Sequence, residues 1–256
     1  MAVPQLELRN QVAVVTGGSR GIGRAVVEIL ARLGAGVVVN YMNDQQAAER
    51  VVAAATKVGV KAIAVKANVA NSNEAESLIK QAIESFGCLD ILICNAGIWR
   101  GAPAEDIDEA LWDETMEINL KGTWLACRSA IPFMKKQRSG RIVIVSSTAG
   151  QRGEANVSNY AASKGAQISF AKSLSTELAP FGITVNCVAP GWVDTDLNDE
   201  VFKDKARMAS IVETIPLGRV ASPEDIALPI AFLCTEAARH ITGEVLNVNG
   251  GSVLCG

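Results

Sequence analysis

A tyrosine and a lysine four residues apart, in the run Tyr160-Ala161-Ala162-Ser163-Lys164, form the pair in this chain best suited to move a proton. The segment is compatible with a helix, so positions i and i+4 share one face and their side chains are neighbours. A free phenol titrates near pH 10, and an adjacent ammonium favours the phenolate by roughly 1 to 3 units. That shift would bring Tyr160 toward the range useful to a general acid or base. By itself the same spacing also describes a packed ring beside a solvated charge, so its meaning depends on what stands near it.

Thirteen residues before Tyr160 stands Ser147, just past the strand-like run Arg141 to Ser146. That is the carboxyl edge, where open parallel sheets bind ligands. A serine there can donate a hydrogen bond to a substrate carbonyl oxygen. It lacks the base a hydrolase nucleophile needs, since the only histidine is His240, to which a structural role is given. Ser146 has no assignable role. Two further markers accompany the set: Asn95-Ala96-Gly97, closing another strand-like run, and Asn119 within Ile118-Asn119-Leu120-Lys121-Gly122.

The elements that must position these residues alternate from end to end. Val12 to Thr16 reads as a strand, Gly21 to Leu33 as a helix and Gly36 to Tyr41 as a strand, which makes a βαβ unit. Further strands are expected at Lys61 to Val65, Leu89 to Cys94, Arg141 to Ser146, Thr184 to Ala189 and Val245 to Val248, separated by helical stretches. Regular long crossovers imply an α/β protein: a single-domain Rossmann fold over residues 1–256, with a parallel sheet of about seven strands flanked by helices on both faces. One connection, Pro190 to Ala221, is too long for an ordinary loop. Carrying Val201, Phe202, Met208 and Ile211, this insertion at about 190–221 is either a substrate lid over the strand ends or a surface excursion.

Thr16-Gly17-Gly18-Ser19-Arg20-Gly21-Ile22-Gly23 follows the first strand and opens the first helix. Glycines there allow a tight turn and close backbone approach to a pyrophosphate, which the helix N-terminus favours with amide donors and its dipole. The turn therefore predicts a dinucleotide. An acid about 20 residues further on would hold the ribose 2′-hydroxyl of NAD. Here the position reads Val39-Asn40-Tyr41, while Ser19 and Arg20 could bond or neutralise a 2′-phosphate. NADP(H) is accordingly expected over NAD(H). Asp44 falls later and is read as the cap of the next helix.

Taken together these residues resemble the short-chain dehydrogenase/reductase family. The resemblance spans the whole chain and rests on Thr16 to Gly23, Asn95 to Gly97, the Ser147, Tyr160 and Lys164 set, Pro190-Gly191, Pro216 to Ala227 and Asn247 to Gly251. It implies that Ser147 polarises a carbonyl, that Tyr160 delivers a proton while the nicotinamide delivers hydride, and that Lys164 holds the nicotinamide ribose and lowers the Tyr160 pKa. Asn119 would hold a water linking Lys164 to solvent. Asn68-Val69 matches the family's adenine-contacting Asp-Val, and Asn95, Ala96 and Gly97 would line the adenine ribose side. Pro190, Gly191, Val193 and Thr195 would lie at the nicotinamide.

Within the family the pattern looks most like the 3-oxoacyl-thioester reductases, which meet an acidic carrier protein. Basic residues near the mouth are then expected, and Lys135, Lys136, Arg138 and Arg141 are the candidates, although Phe181 replaces a frequent basic residue before Gly182. The substrate expected is a small-molecule or thioester-linked carbonyl. Alternatives are a general alcohol, sugar or polyol dehydrogenase or ketoreductase, and a non-catalytic NADP(H) sensor. The helices around Leu111 to Met134 and Asn156 to Leu178 resemble the family's subunit-pairing surfaces and imply a homotetramer, with a dimer as the alternative.

Composition excludes other classes. A net charge of -3 with dispersed basic residues leaves no footprint for nucleic acid. Met1 to Gln11 has no leader pattern and no run of about 18 apolar residues occurs, so a soluble cytoplasmic protein without membrane contact is expected. Six dispersed cysteines (Cys88, Cys94, Cys127, Cys187, Cys234, Cys255) lack metal-ligand spacing, so no metal is expected, and Cys94 and Cys187 read as small buried hydrophobes.

Overall fold

Strands in this chain are apolar on both faces, which is what a sheet covered by helices on two sides requires. The computed structural model describes residues 6–254; Cys255 and the first five residues of the N-terminal stretch lie outside them. Its strands are β1 (Val12–Val15), β2 (Gly36–Tyr41), β3 (Ala62–Lys66), β4 (Ile91–Cys94), β5 (Gly140–Val145), β6 (Ile183–Pro190) and β7 (Val245–Val248). They form one seven-stranded sheet in the order β3-β2-β1-β4-β5-β6-β7, and every pairing is parallel. Each expected strand is present, with ends differing by a residue or two.

Alternate strand residues feed separate cores. Ala13, Val15, Val37, Val39, Ile91, Ile93, Val143 and Val145 pack on one face with helices α1 (Gly21–Arg32), α2 (Gln45–Lys57) and the late helix Pro223–Cys234. Val14, Val38, Leu92, Cys94, Ile142, Ile144, Val185 and Cys187 pack on the other face, against α3 (Ser72–Phe86), a helix from Gly122 to Gln137 and a helix from Ser158 to Leu178. This is the period of two expected of a strand. After β3 the chain returns through α3 to place β4 beside β1, and the reversal opens a crevice at the carboxyl ends of β1 and β4.

The remaining helices are α4 (Glu109–Thr115), which runs through a π-helical turn at Met116–Lys121 into α5 (Gly122–Gln137), then α6 (Ala149–Arg152), α7 (Ser158–Leu178), α8 (Asp199–Phe202), α9 (Lys205–Glu213) and α10 (Pro223–Cys234). The long insertion after β6 thus contains α8 and α9. Its base is pinched by main-chain bonds: Asp194 N donates to the Ala221 carbonyl at 2.9 Å and Ala221 N to the Trp192 carbonyl at 3.0 Å. Val201, Ile211 and Ile215 give it a small core of its own.

At the exit of the insertion Ser222 caps α10. Asp225 N donates to Ser222 Oγ at 3.2 Å and Ser222 N to Asp225 Oδ2 at 2.7 Å, a reciprocal capping box. Ser222→Ala should therefore lower unfolding stability by about 1 kcal/mol. Urea denaturation, read as a lower midpoint at unchanged slope, checks it.

Candidate active site

Close backbone contact shapes the crevice. Gly17 and Gly21 hold positive φ of 62° and 52°. A Cβ on Gly23 would fall 2.2 Å from the Gly17 carbonyl oxygen, so only glycine allows the turn to close on α1. Arg20 caps α1 with extended backbone and no side-chain bond to the first-turn amides. The result is a cradle of free donors at a helix N-terminus, which fits a pyrophosphate. Asn95 holds the cradle from β4, its Nδ2 donating to the carbonyls of Thr16 at 3.0 Å and Gly17 at 3.1 Å. Its side chain is thus a clamp on the glycine turn. With Ala96 and Gly97 it still lines the cavity.

At the adenosine end the structure gives Asn40 a bracing role beside its place on the cavity. This side chain is buried and fully engaged: Oδ1 accepts from Gly17 N at 3.1 Å, and Nδ2 donates to the carbonyls of Val65 at 3.3 Å and Ala67 at 3.0 Å. It braces β2, β3 and the turn while still lining the cavity. Tyr41, Met42 and Asn43 line the cavity beside it, with Ser19, Arg20 and Ile22 opposite. Asp44 also reaches it, but its carboxylate accepts from Ala47 N at 2.8 Å as the cap of α2, as expected. Asn68 Oδ1 accepts from Ala70 N at 3.0 Å, and Asn68 and Val69 both line the cavity.

Lys164 is buried in α7 beneath the cavity, and its Nζ donates to the Val145 carbonyl at 2.7 Å, at the carboxyl end of β5. Burial lowers its ammonium to about 8. Ser147, next but one along the chain, lies beside the Tyr160 phenol on the same cavity wall, its Oγ accepting from Ala149 N at 3.1 Å. The expected lowering of the phenol by Lys164 is absent. The ammonium lies 5.6 Å from the Tyr160 ring centre and is anchored to Val145, so desolvation wins and pushes Tyr160 up to about 12. The neighbouring Ser147 hydroxyl opposes that rise and the half-buried Glu154 carboxylate adds to it. Ser146 acquires a role: its buried Oγ donates to the Lys164 carbonyl at 2.8 Å and ties α7 to β5.

Asn119 also changes role. It stands in the π-helical turn, fully buried, with Oδ1 accepting from Ile98 N at 2.8 Å and Nδ2 donating to Ile98 O at 3.0 Å and Ser163 Oγ at 3.1 Å. Its carbonyl accepts from Thr123 Oγ1 and Gln167 Nε2, both at 2.7 Å. Its carboxamide donors are all taken by protein and its carbonyl already accepts twice, so Asn119 is a positioning residue for the loop after β4 rather than a free water ligand.

One cavity of about 730 Å³ joins these parts, from the glycine turn past Ser147, Tyr160 and Lys164 to Pro190, Gly191, Val193 and Thr195. Thr195 stands against Gly21, where a Cβ would meet its methyl at 3.4 Å, so the base of the insertion borders the glycine turn. Residues that sequence reasoning missed line the same cavity: Ile98, Trp99, Thr148, Glu154, Trp192 and Leu197. The helical or strand periods that flagged the core carry no signal for them, because all but Thr148 lie outside regular elements and Thr148 only borders one.

The basic residues expected at the mouth lie elsewhere. Arg141 sits near the start of β5, whose far end leads to Ser147, and it pairs with Glu236 at 3.3 Å. Lys135 pairs with Glu177 at 3.6 Å, and Arg138 donates to the Pro180 carbonyl at 3.0 Å. They and Lys136 gather where α5 turns into the amino end of β5, opposite the cavity. His240 is exposed and does not line the cavity. Among the described residues no cluster could hold a metal ion, and no helix is long and apolar enough to cross a membrane. Cys94 and Cys187 are buried, and burial raises the Cys187 thiol to about 12, so it stays neutral.

Residues 17–252 match the family model described as enoyl-(acyl carrier protein) reductase. A 3-oxoacyl-[acyl-carrier-protein] reductase of Synechocystis sp. is 43% identical over 248 residues, covering 96% of this chain and 98% of that protein. A protein of the same description from Aquifex aeolicus is 40% identical over 250 residues, covering 96% and 99%. The solved structure of a dehydrogenase/reductase from Sinorhizobium meliloti 1021 is similar with a TM-score of 0.90 at 37% identity, covering 97% of each chain.

Two outcomes follow from the site's geometry. Asn40→Asp should destabilise the fold by roughly 3 kcal/mol, since a buried carboxylate would face two carbonyl oxygens that now receive hydrogen bonds; chemical denaturation measures it. Glu154→Gln removes a charge that raises the Tyr160 pKa. The ionisation of Tyr160, followed by the ultraviolet absorbance of its phenolate, should move to lower pH.

Proposed function

The chain belongs to the short-chain dehydrogenase/reductase family of oxidoreductases, and on that premise we propose that it reduces a ketone to a secondary alcohol with NADPH, a 3-oxoacyl thioester being the foremost substrate. The observation that carries this reading is the convergence of Ser147, Tyr160 and an anchored Lys164 on the cavity that also contains the glycine turn.

The glycine turn would hold the pyrophosphate, Asn68 and Val69 the adenine, and Pro190, Gly191, Val193 and Thr195 the nicotinamide end. When bound, the nicotinamide supplies hydride to the carbonyl carbon. Ser147 Oγ donates a hydrogen bond to the carbonyl oxygen and holds it beside Tyr160. As negative charge develops on that oxygen, Tyr160 donates its phenolic proton. A phenol pushed up to about 12 is fully protonated at neutral pH, which suits the reductive direction. Lys164, from beneath, fixes the ring and keeps positive charge close to the oxygen that loses its proton.

NADPH is supported over NADH by the adenosine end, where Tyr41, Met42 and Asn43 replace an acid, Asp44 is engaged as a helix cap, and the exposed Arg20 has no salt bridge among the described residues. The thioester reading is supported by the names of relatives at 40–43% identity. A second reading, a ketoreductase acting on free ketones, is favoured by the placement of Lys135, Lys136, Arg138 and Arg141 away from the cavity, which deprives a carrier of the basic patch expected for it. A sensor without turnover is opposed by the intact Ser147, Tyr160 and Lys164 set. Exposed Trp112, Trp124 and Phe133 on α4 and α5 support a homotetramer, and the reading is of a cytoplasmic protein without nucleic-acid or membrane partners.

Tyr160→Phe should lower turnover by about 10²- to 10⁴-fold while NADPH binding is retained. Nicotinamide absorbance with 3-oxoacyl thioesters and simple ketones, in NADPH and NADH, measures this and the cofactor preference; near-normal turnover of the variant would overturn the mechanism.

A further inference from the structure

Two tryptophans close the substrate side of the cavity. Trp99 lies in the loop after β4, and Trp192 follows Pro190 at the end of β6. Their ring centres are 5.9 Å apart at an interplanar angle of 79°, an edge-to-face contact. In the sheet β4 and β6 flank β5, whose carboxyl end leads to Ser147. The two rings therefore meet across the end of the strand that carries the carbonyl-binding serine. Trp192 also meets Phe202 of α8 at 6.0 Å, and all three rings pack on the Val201, Ile211 and Ile215 core of the insertion. The bar is thus braced from the lid side.

A 3-oxoacyl group held by Ser147 and Tyr160 has two substituents on its ketone carbon. The thioester arm must reach solvent, and the alkyl tail needs an apolar wall. Glu154, half-buried on the cavity lining, is a poor neighbour for a tail, because an alkyl chain would strip its carboxylate of water without replacing the hydrogen bonds. Trp99 and Trp192 are the apolar alternative in the same cavity.

Building on the ketone-reduction reading above, we propose that the Trp99–Trp192 pair is the specificity wall for the acyl tail and restricts the enzyme to short-chain carbonyl substrates. Both residues act on the substrate's tail and take no part in proton transfer. The rings are backed by each other, by Phe202 against Trp192 and by the insertion core, so a longer tail must displace packed groups rather than a mobile side chain. A hydrophobic pocket of this kind discriminates by about tenfold or more for each methylene it cannot accommodate.

The test uses the full-length enzyme with NADPH and two substrate series in parallel: N-acetylcysteamine thioesters from 3-oxobutanoyl to 3-oxodecanoyl, and methyl ketones from 2-butanone to 2-decanone. Wild-type kcat/KM should fall by about tenfold or more between the ends of each series, mainly through KM. Trp99→Ala and Trp192→Ala should relieve that fall by a similar factor, the gain appearing mainly in KM for the longest members of each series. Trp99→Phe, which keeps an aromatic edge and folds even if an alanine variant does not, should give an intermediate profile. A flat wild-type profile in both series, or a fall unchanged in folded variants, would overturn the proposal. If only the ketones turn over, and their chain-length break is relieved in the variants, the wall is supported and the thioester reading is lost. Absence of turnover with either series would overturn both.

Discussion

Gly150 has no room for a side chain. A Cβ there would fall 2.5 Å from the Lys164 carbonyl carbon and 2.7 Å from Gly165 N, and one on Gly165 would meet the Gly150 carbonyl at 3.1 Å. These two glycines let α6 and α7 touch backbone to backbone. The approach brings Lys164 under the end of β5, where Nζ bonds Val145 and the Lys164 carbonyl receives Ser146 Oγ. Tyr160, one turn earlier on the same helix, is thereby carried to Ser147. A methyl group at this crossing would separate the proton donor from the serine and leave a buried ammonium without its acceptor, a cost of several kcal/mol by the usual penalty for an unpaired buried charge.

The rest of the site extends this seam. From the Lys164 side, Ser163 Oγ accepts from Asn119 Nδ2, and Asn119 in turn grips Ile98 at both its amide and its carbonyl. The loop after β4 is therefore set by α7 and by the π-helical turn, which leaves the Asn119 carbonyl to accept from Thr123 and Gln167. The same loop begins with Asn95, whose carboxamide clamps the glycine turn. The glycine turn and Tyr160 are thus connected through a chain of buried hydrogen bonds running by Asn95, Ile98, Asn119 and Ser163, an arrangement that makes a site rigid. The substrate side is built differently, from Trp99, Trp192 and Phe202 on loops and a short helix, and depends on packing.

Electrostatics follow from this arrangement. The cavity wall desolvates Tyr160, and that cost outweighs the opposing effect of Ser147, so the phenol rises instead of falling. Proximity in sequence placed an ammonium near the ring, while its hydrogen bond determined where the charge was directed. Glu154 adds to the rise from a loop that no periodic pattern distinguishes.

The sequence by itself determined the seven strands, their parallel arrangement through βαβ crossovers, the glycine turn, and the spacing of Ser147, Tyr160 and Lys164. These are local matters: burial on both faces of a parallel strand leaves a continuous apolar run, a phosphate turn leaves glycines, and a helical pair leaves a spacing of four. Only the tertiary structure decided that Asn40 braces the sheet as well as lining the cavity, that Asn119 and Asn95 position loops, that Arg141 lies at the end of β5 remote from the cavity, and that Trp99 and Trp192 meet edge to face on the cavity wall. Each of those depends on which way a polar or aromatic side chain turns once distant segments pack, and a polar group with partners on every side leaves no mark in the sequence to say which partners it will take.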